Sequence, residues 1–207
     1  MKDVAQKLSV SVTQVSYWME KYNFQRRTIS EAIYTKHNPE GDPFRLKINL
    51  DEYEKFLLGL GLGLFWGEGM KLNRSSVRLG NTDPFVIIYF RDFLEKICGV
   101  PRKKLKYSLQ LFGDVDQKQA IHFWSDVLTV NPSDLGKISI VQLRGEGTYK
   151  KKNVFGVLQI ACHNKKLKLI IDNLLRTLKI SAYADVAQMV EHVHGETPKT
   201  LAQMLRN

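Results

Sequence analysis

Residues 57–69, with the sequence LLGLGLGLFWGEG, decide the fold that the rest of the chain must fit. The leucines predict a helix, and Gly59, Gly63 and Gly67 recur every four residues, so they fall on one face of it. A face without side chains allows two backbones to come into contact. Glu68 stands at the end of this helix, where the helix dipole disfavours negative charge. A cation nearby would offset that penalty.

Length and composition describe a folded, basic protein. With 207 residues, 43% of them hydrophobic, the chain can bury a core and form one domain with a small second module. Its net charge of +10 favours a polyanionic partner, nucleic acid before membrane. Cys98 and Cys162 lack Cys-x-x-Cys spacing, which indicates buried thiols in a reducing compartment and no metal on them. The longest apolar run, 56–66, covers about half a membrane span. We therefore expect a cytoplasmic, nucleoid-associated protein outside the membrane.

Residues 1–35 are predicted to form a helix-turn-helix module. Two apolar helical stripes are separated by Ser9-Val10-Ser11, and Ser11 suits the N-cap of the second helix. In this arrangement the second helix lies in the major groove of DNA and presents its first polar residues to base edges. A helical hairpin that only packs is the alternative, and the basic residues after the second helix favour DNA binding. The predicted DNA contacts of this module are Thr13, Gln14, Ser16, Tyr17, Lys21, Arg26 and Arg27.

Residues 36–50 are predicted to be a linker, because this turn-rich segment contains two prolines. Residues 51–180 then follow the order helix, strand, helix, strand, helix, two strands, helix. Asp51 and Glu54 have capping-box spacing at the start of the first helix. We expect an α+β sandwich with a mostly antiparallel sheet, with its helices on one side and its other face open.

The open face of the predicted sheet is basic and polar. In residues 104–112, apolar side chains alternate with lysine, serine and glutamine, which is typical of a half-buried strand. Two later strands, 137–143 and 154–161, suit an antiparallel hairpin whose loop, 144–153, forms a basic tip. The predicted DNA contacts of this domain are Arg78, Lys104, Lys106, Ser108, Gln110, Arg144, Lys150, Lys151 and Lys152.

Residues 61–69, GLGLFWGEG, resemble the LAGLIDADG motif of homing endonucleases, with glycine at its small positions and Glu68 at its terminal acid. The succession of elements over 51–180 also fits that fold. In this family two motif helices, from a homodimer or a tandem repeat, pack through their small residues. The acid at the foot of each helix binds the divalent metals that cut DNA lying on a saddle of antiparallel strands.

The resemblance implies a homodimer that binds double-stranded DNA and cuts it with Mg²⁺. Glu68 would be the catalytic residue and metal ligand, with Gly67 beside it at the metal site. Glutamate in place of aspartate keeps a hard oxygen ligand for magnesium. Trp66 departs from the smaller or acidic residue usual at its position. The implied dimer seam consists of Gly59, Gly63 and Gly67.

The chain contains a single motif of this kind. Gly145-Glu146-Gly147 repeats the tripeptide but has no apolar helix before it. Cleavage would therefore need a homodimer and a near-palindromic DNA site. The same domain also occurs, in degenerate form, in bacterial helix-turn-helix transcription regulators that do not cut DNA, so both functions stay open. For the glycines, close packing against a strand of the same chain is the alternative to a dimer seam.

Residues 181–207 differ in character from the rest of the chain. Within them, residues 186–192, VAQMVEH, resemble the conceptual translation of the D-arm of a transfer-RNA gene. Our hypothesis is that the reading frame runs into a neighbouring transfer-RNA gene, by chance or because a mobile element inserted there. An ordinary amphipathic helix is the competing interpretation.

Overall fold

The computed structural model describes residues 1–141 and 154–178. The chain divides into two compact units, Met1–Pro43 and Phe44–Asn207, and their boundary falls inside the segment predicted to be a linker. Three predictions lie outside the described residues. They concern the basic tip with Arg144, Lys150, Lys151 and Lys152, the tripeptide Gly145-Glu146-Gly147, and the C-terminal extension 181–207.

The first unit consists of three short helices, α1 Lys2–Lys7, α2 Val12–Lys21 and α3 Ile29–His37. Helix α2 begins at the predicted cap, since the Ser11 hydroxyl accepts from the Gln14 N–H at 3.1 Å and Gln14 Oε1 accepts from the Ser11 N–H at 3.2 Å. Within this fully described unit only Ala5 and Val15 are buried. The rest of the apolar stripes is largely exposed, namely Val4, Leu8, Val12 and Trp18.

The second unit follows the predicted order of helices and strands. Its first helix starts at the predicted capping box, where Asp51 Oδ1 accepts from the Glu54 N–H at 2.8 Å and Glu54 Oε2 accepts from the Asp51 N–H at 3.1 Å. A π-helical turn and two 3₁₀ turns join the larger elements. These elements are α4 Glu52–Glu68, β1 Val77–Asn81, α5 Pro84–Asp92, β2 Leu105–Phe112, α6 Gln117–Leu128, β3 Lys137–Val141, β4 Val157–Cys162 and α7, residues 165–178.

The described strands form one mixed sheet in the order β1-β4-β2-β3. Strand β4 is antiparallel to both β1 and β2, whereas β3 runs parallel to β2 at the edge of the sheet. The predicted hairpin between β3 and β4 is therefore wrong, because β2 lies between them. Burial explains why β4 lies inside the sheet and β3 at its edge. Strand β4 buries Leu158, Ile160 and Ala161, whereas β3 leaves Ile140 61% exposed. The α+β class is confirmed.

The helices cover one face of this sheet and leave the other open. In β2 the side chains of Leu105, Leu109 and Leu111 are buried against the helices, each worth about 1.5–3 kcal/mol relative to exposure. Phe65 of α4 stacks on Phe90 of α5 with 6.1 Å between ring centroids. The alternate side chains of β2 stay exposed or half-buried on the opposite face. This open face carries the polar residues that the sequence singled out.

Candidate nucleic-acid interface

The foot of α4 is joined directly to the sheet. The Met70 N–H donates to the Arg78 carbonyl of β1 at 2.9 Å, and Gly69 forms an isolated bridge with Leu79. Gly69 has no room for a side chain, because a Cβ there would lie 2.3 Å from the Phe65 ring and 2.4 Å from the Phe65 carbonyl oxygen. The backbone therefore passes tightly from the helix into the sheet and fixes where α4 ends.

A cleft of about 330 Å³ lies between the foot of α4 and the open face of the sheet. Glu68 and Met70 line it on the helix side, and the Gln159 amide nitrogen of β4 lies 3.6 Å from the Met70 sulfur. The cleft brings Glu68 together with Ser108 and Gln110, two of the predicted DNA contacts. The structure adds three polar residues that sequence reasoning missed, which are Lys137, Ser139 and Gln159.

Strand register arranges these polar side chains in rows across the sheet. Ser108 of β2 is paired with Lys137 of β3 on one side and with Gln159 of β4 on the other. Gln110, two residues along β2, pairs with Ser139 in the same way. The signal for the missed residues was present in the sequence, because each alternates with an apolar neighbour. This alternation alone could not show that these residues share a face with Ser108 and Gln110, because that depends on the pairing of β3 and β4 with β2.

The Glu68 carboxylate has neither an ion pair nor a hydrogen bond within residues 1–141 and 154–178, and it is exposed. A cation does stand at this helix end, as the dipole argument requires: the Lys71 ammonium donates to the Trp66 carbonyl oxygen. Lys71 thus provides a donor for a backbone carbonyl at the helix end and leaves the Glu68 carboxylate free. An uncompensated acid at the negative end of a helix, in a basic protein, is available to a metal ion or another cation.

A basic corner lies farther along the open face, where β1, β4 and β2 adjoin. Arg78 and Lys106 both pair with Ala161 of β4 in the strand register. The Arg78 guanidinium donates from Nε to the Ser76 hydroxyl at 2.7 Å, and its Nη2 lies 3.5 Å from His163 Nδ1. Partial burial, together with the cations of Arg78 and Lys106, lowers the pKa of His163 below its usual value.

Two of the corner's features were not predicted. His163 was missed because the sequence gives no sign that it faces the lysines of another strand. Lys104, predicted as the first residue of a strand, lies instead in the 3₁₀ turn Arg102–Lys104 that precedes β2. It still adjoins this corner, since it directly precedes Leu105, which pairs with Cys162 in the strand register.

The glycine ladder of α4 is open to solvent. A Cβ built at Gly59, Gly63 or Gly67 would meet no atom within 4 Å. Packing of these glycines against a strand of the same chain, the alternative considered from sequence, is therefore wrong for the described residues. The ladder is flanked by two exposed aromatic side chains, Phe56 and Trp66.

In the first unit, the predicted DNA contacts of α2 are exposed or half-buried but not all free. The Gln14 side-chain oxygen is used in the helix cap. The Ser16 hydroxyl accepts from Arg26 Nη2 at 3.0 Å, which brings two predicted contacts together. The Lys21 ammonium lies 5.7 Å from the centroid of the Tyr17 ring. The remaining predicted contacts, Thr13 and Arg27, are exposed.

Few groups in the described part of the chain suit a metal. No cluster of three or more His, Cys, Asp or Glu side chains that could hold an ion is found there. Cys98 and Cys162 are unpaired and buried, as predicted. Burial raises the pKa of the Cys98 thiol to about 12 and that of the Cys162 thiol to about 11, so both stay protonated at neutral pH. Glu68, with the Gly67 carbonyl beside it, remains the candidate ligand set in one chain.

Of the helices described, none combines the length and the apolar character needed to cross a membrane. Comparison with models of protein families, with curated proteins and with solved structures gave no match.

Proposed function

We propose that this protein binds double-stranded DNA as a homodimer and cuts it in the presence of magnesium, with one Glu68 from each subunit holding metal. The observation that carries the proposal is the placement of Glu68. It is an unpaired carboxylate at the foot of a helix whose glycine face is open, and it borders a polar cleft on the open side of a sheet.

The open face has the chemistry of a DNA-binding surface. Arg78, Lys106 and Lys137 supply positive charge for backbone phosphates, which provides affinity without reading sequence. Gln110 and Gln159 carry amides, which can donate to and accept from base edges in a groove. Strands are a known means of entering the major groove. The first unit would add a second contact through α2, whose exposed polar residues suit base edges.

The exposed face of α4 supports the proposed homodimer. Gly59, Gly63 and Gly67 would let two copies of the helix approach more closely than the usual 8–10 Å between axes. Phe56 and Trp66, 57% and 52% exposed, would become buried at the margins of such a contact. In the proposed two-fold dimer each subunit uses the same surface and the axis runs along the seam, so that the two helices are parallel and the two Glu68 residues lie at the same end.

The residues present fit magnesium as half of a site. Magnesium takes one or two carboxylates and completes its shell with water and substrate phosphate oxygens. A single Glu68 with the adjacent Gly67 carbonyl is a weak ligand set, and two copies supply two carboxylates. When bound there, the metal would activate a water molecule and stabilise the leaving oxygen of the phosphodiester. The protein's own part is to hold the DNA: cations on phosphates, amides on bases, and Glu68 beside the cleft.

A cleavage selection tests this proposal. The protein is incubated with a library of duplex DNA and Mg²⁺, and linear products are sequenced. We expect cleavage at a near-palindromic site, and Glu68→Gln should reduce it by about 100-fold or more, the scale of losing a group that acts on charge in the transition state. Affinity of both proteins for the selected duplex should fall as salt is raised.

Glu52→Gln is the matched control, because it removes the same charge from the other end of α4. This variant should cleave like the native protein. Equal cleavage by the native protein and Glu68→Gln would contradict the assigned role of Glu68. DNA affinity that did not respond to salt would contradict the phosphate contacts.

The second candidate function is a helix-turn-helix regulator that binds DNA without cutting it. One observation favours it: among the described residues that line the cleft, Glu68 is the only carboxylate. The same selection separates the two functions. Tight, salt-sensitive binding by a dimer with no cleavage of any library member would establish the regulator.

A further inference from the structure

We propose that Arg78, Lys106 and His163 form a binding site for one backbone phosphate of nucleic acid, and that His163 accepts a proton from solvent when this phosphate binds. The inference rests on the proposed function for the source of the phosphate, and it adds a specific site and a pH dependence to it.

The strand register defines the shape of this site. Arg78 and Lys106 flank Ala161 from the two neighbouring strands, so a methyl group separates two long cationic side chains. His163 directly follows the last residue of β4, and its Nδ1 lies 3.5 Å from Arg78 Nη2, so its ring adjoins the Arg78 guanidinium. The result is a shallow floor with cations on both sides and an imidazole at one end.

The Arg78 guanidinium is held in place before any ligand arrives. Its Nε donates to the Ser76 hydroxyl at 2.7 Å, and this hydroxyl in turn donates to the Asn73 side-chain oxygen at 3.1 Å. Ser76 is fully buried, so the hydroxyl is a fixed anchor. Within the described part of the chain, no carboxylate forms an ion pair with Arg78 or Lys106. Their charge is thus available to an external anion.

The charged groups that act on His163 in the described part of the chain are cations. Arg78 faces it from β1, Lys106 lies on β2, and both disfavour the protonated ring. Lys104, just before β2, acts on the adjacent Cys162, and Lys165 follows within α7. None of the described carboxylates contributes to this environment. Partial burial, together with these two like charges without a counterion, lowers the pKa of His163 and so favours the neutral imidazole.

A phosphate at this site reverses the balance. Its negative charge offsets the two cations, and its oxygens can accept from a protonated imidazole. Arg78 Nη2 is already 3.5 Å from His163 Nδ1, so one oxygen can be reached by both. The pKa of His163 is therefore lower in the free protein than in the phosphate-bound protein. Between these two pKa values, only the bound protein holds the additional proton. By linkage, affinity must rise as the pH falls through the pKa of the bound state and level off below that of the free state.

Nuclear magnetic resonance can measure this proton directly. The full-length protein, with its histidines labelled, is titrated with acid in Mg²⁺-free buffer, alone and with saturating duplex DNA. We expect the pKa of His163 to rise by about one unit with DNA, equivalent to about tenfold tighter binding at low pH than at high pH. The signals of His122, whose side chain is 81% exposed beside Asp126, serve as the internal control.

Variants separate the proton from general charge effects. Most of the His163 residue is accessible to solvent and only part of it is covered, so replacing it should leave the fold intact. His163→Gln should bind DNA with an affinity that no longer depends on pH and equals that of the native protein near pH 8. His163→Lys should remain tight across the range, because its cation is permanent. His122→Gln should keep the native pH dependence.

Two outcomes distinguish this inference from the proposed function. Salt-sensitive DNA binding with an unchanged pKa of His163 overturns the phosphate site and leaves DNA binding intact. To test the phosphate site without DNA, the pKa of His163 is measured in inorganic phosphate and in chloride at equal ionic strength. If DNA does not bind but inorganic phosphate raises the pKa of His163, the site is retained and the DNA function falls.

Discussion

The two faces of helix α4 have opposite surroundings. On one face, a Cβ at Gly61 would lie 2.2 Å from the ring of Phe93, so a hydrogen atom is all that fits. On the other face, a Cβ at Gly63 would meet nothing within 4 Å. The buried face also carries large side chains that are almost wholly covered, namely Leu57, Leu62 and Phe65.

The difference shows that one residue type can serve two purposes within a single helix. Two residues apart, Gly61 and Gly63 are separated by about 200° around the axis. Gly61 lets α4 lie close to the π-helical turn Phe93–Ile97 of its own chain. Gly63 has no such partner among the described residues of its own unit. In the proposed seam, Gly63 would pack against a second molecule. The comparison can therefore be tested by placing a larger side chain at Gly61 and at Gly63 in turn.

The largest expected effect is on folding. Gly61→Ala should lower the free energy of unfolding by about 1–3 kcal/mol, because its methyl group must displace Phe93 in a packed core. Gly63→Ala should raise the monomer's stability by up to about 1 kcal/mol, because alanine favours the helix. Unfolding in urea measures both values.

A dimer would complicate this comparison, because association adds stability that depends on protein concentration. The measurement is therefore repeated over a range of concentrations and extrapolated to dilution. Equal stability of Gly61→Ala and Gly63→Ala would show that the two faces do not differ as described.

The second effect is on self-association. Gly63→Leu should weaken the proposed dimer by about tenfold or more, because a bulky side chain keeps the two helices from close approach. Its monomer should stay folded, since the position opens onto free space. Sedimentation equilibrium gives the dissociation constant.

Lys118→Leu is the control for added surface hydrophobicity, because Lys118 is exposed in the first turn of α6. It should associate like the native protein. Unchanged association of Gly63→Leu would place the dimer contact elsewhere and separate Glu68 from the seam.

Local signals in the sequence predicted most of this fold. The caps at Ser11 and Asp51, and the alternation of β2, depend on neighbours a few residues away, and the structure confirms each of them. The pairing of β3 with β2 could not be predicted in this way, because it joins residues about 30 positions apart and follows from which strand can be buried on both sides.

The same limit applies to the candidate site. Glu68, Ser108 and Gln110 were found from sequence because each follows a strong local pattern. Gln159 and His163 reach the site through strand pairing and leave no local sign of it. The distinction between Gly61 and Gly63 likewise needed the position of Phe93, which lies on another helix.

The smallest expected effect concerns the end of α4, where its two faces meet Glu68. Lys71 donates to the Trp66 carbonyl and places a cation at the negative end of the helix. Lys71→Met should therefore lower the free energy of unfolding by about 0.3–1 kcal/mol at low salt. The loss should largely vanish in about 1 M salt, where the screening length is about 3 Å. Urea unfolding at both salt concentrations measures it.

Lys118→Met provides the opposite case, because Lys118 lies at the N-terminal end of α6, where the dipole disfavours a cation. Lys118→Met should not lower the free energy of unfolding at either salt concentration. A loss from Lys71→Met that persists in high salt would mean that the lysine acts through packing of its stem and not through its charge. In that case Lys71 would not compensate the helix end, and the negative field beside Glu68 would favour a metal ion there more strongly, because less of that field would be balanced by the protein itself.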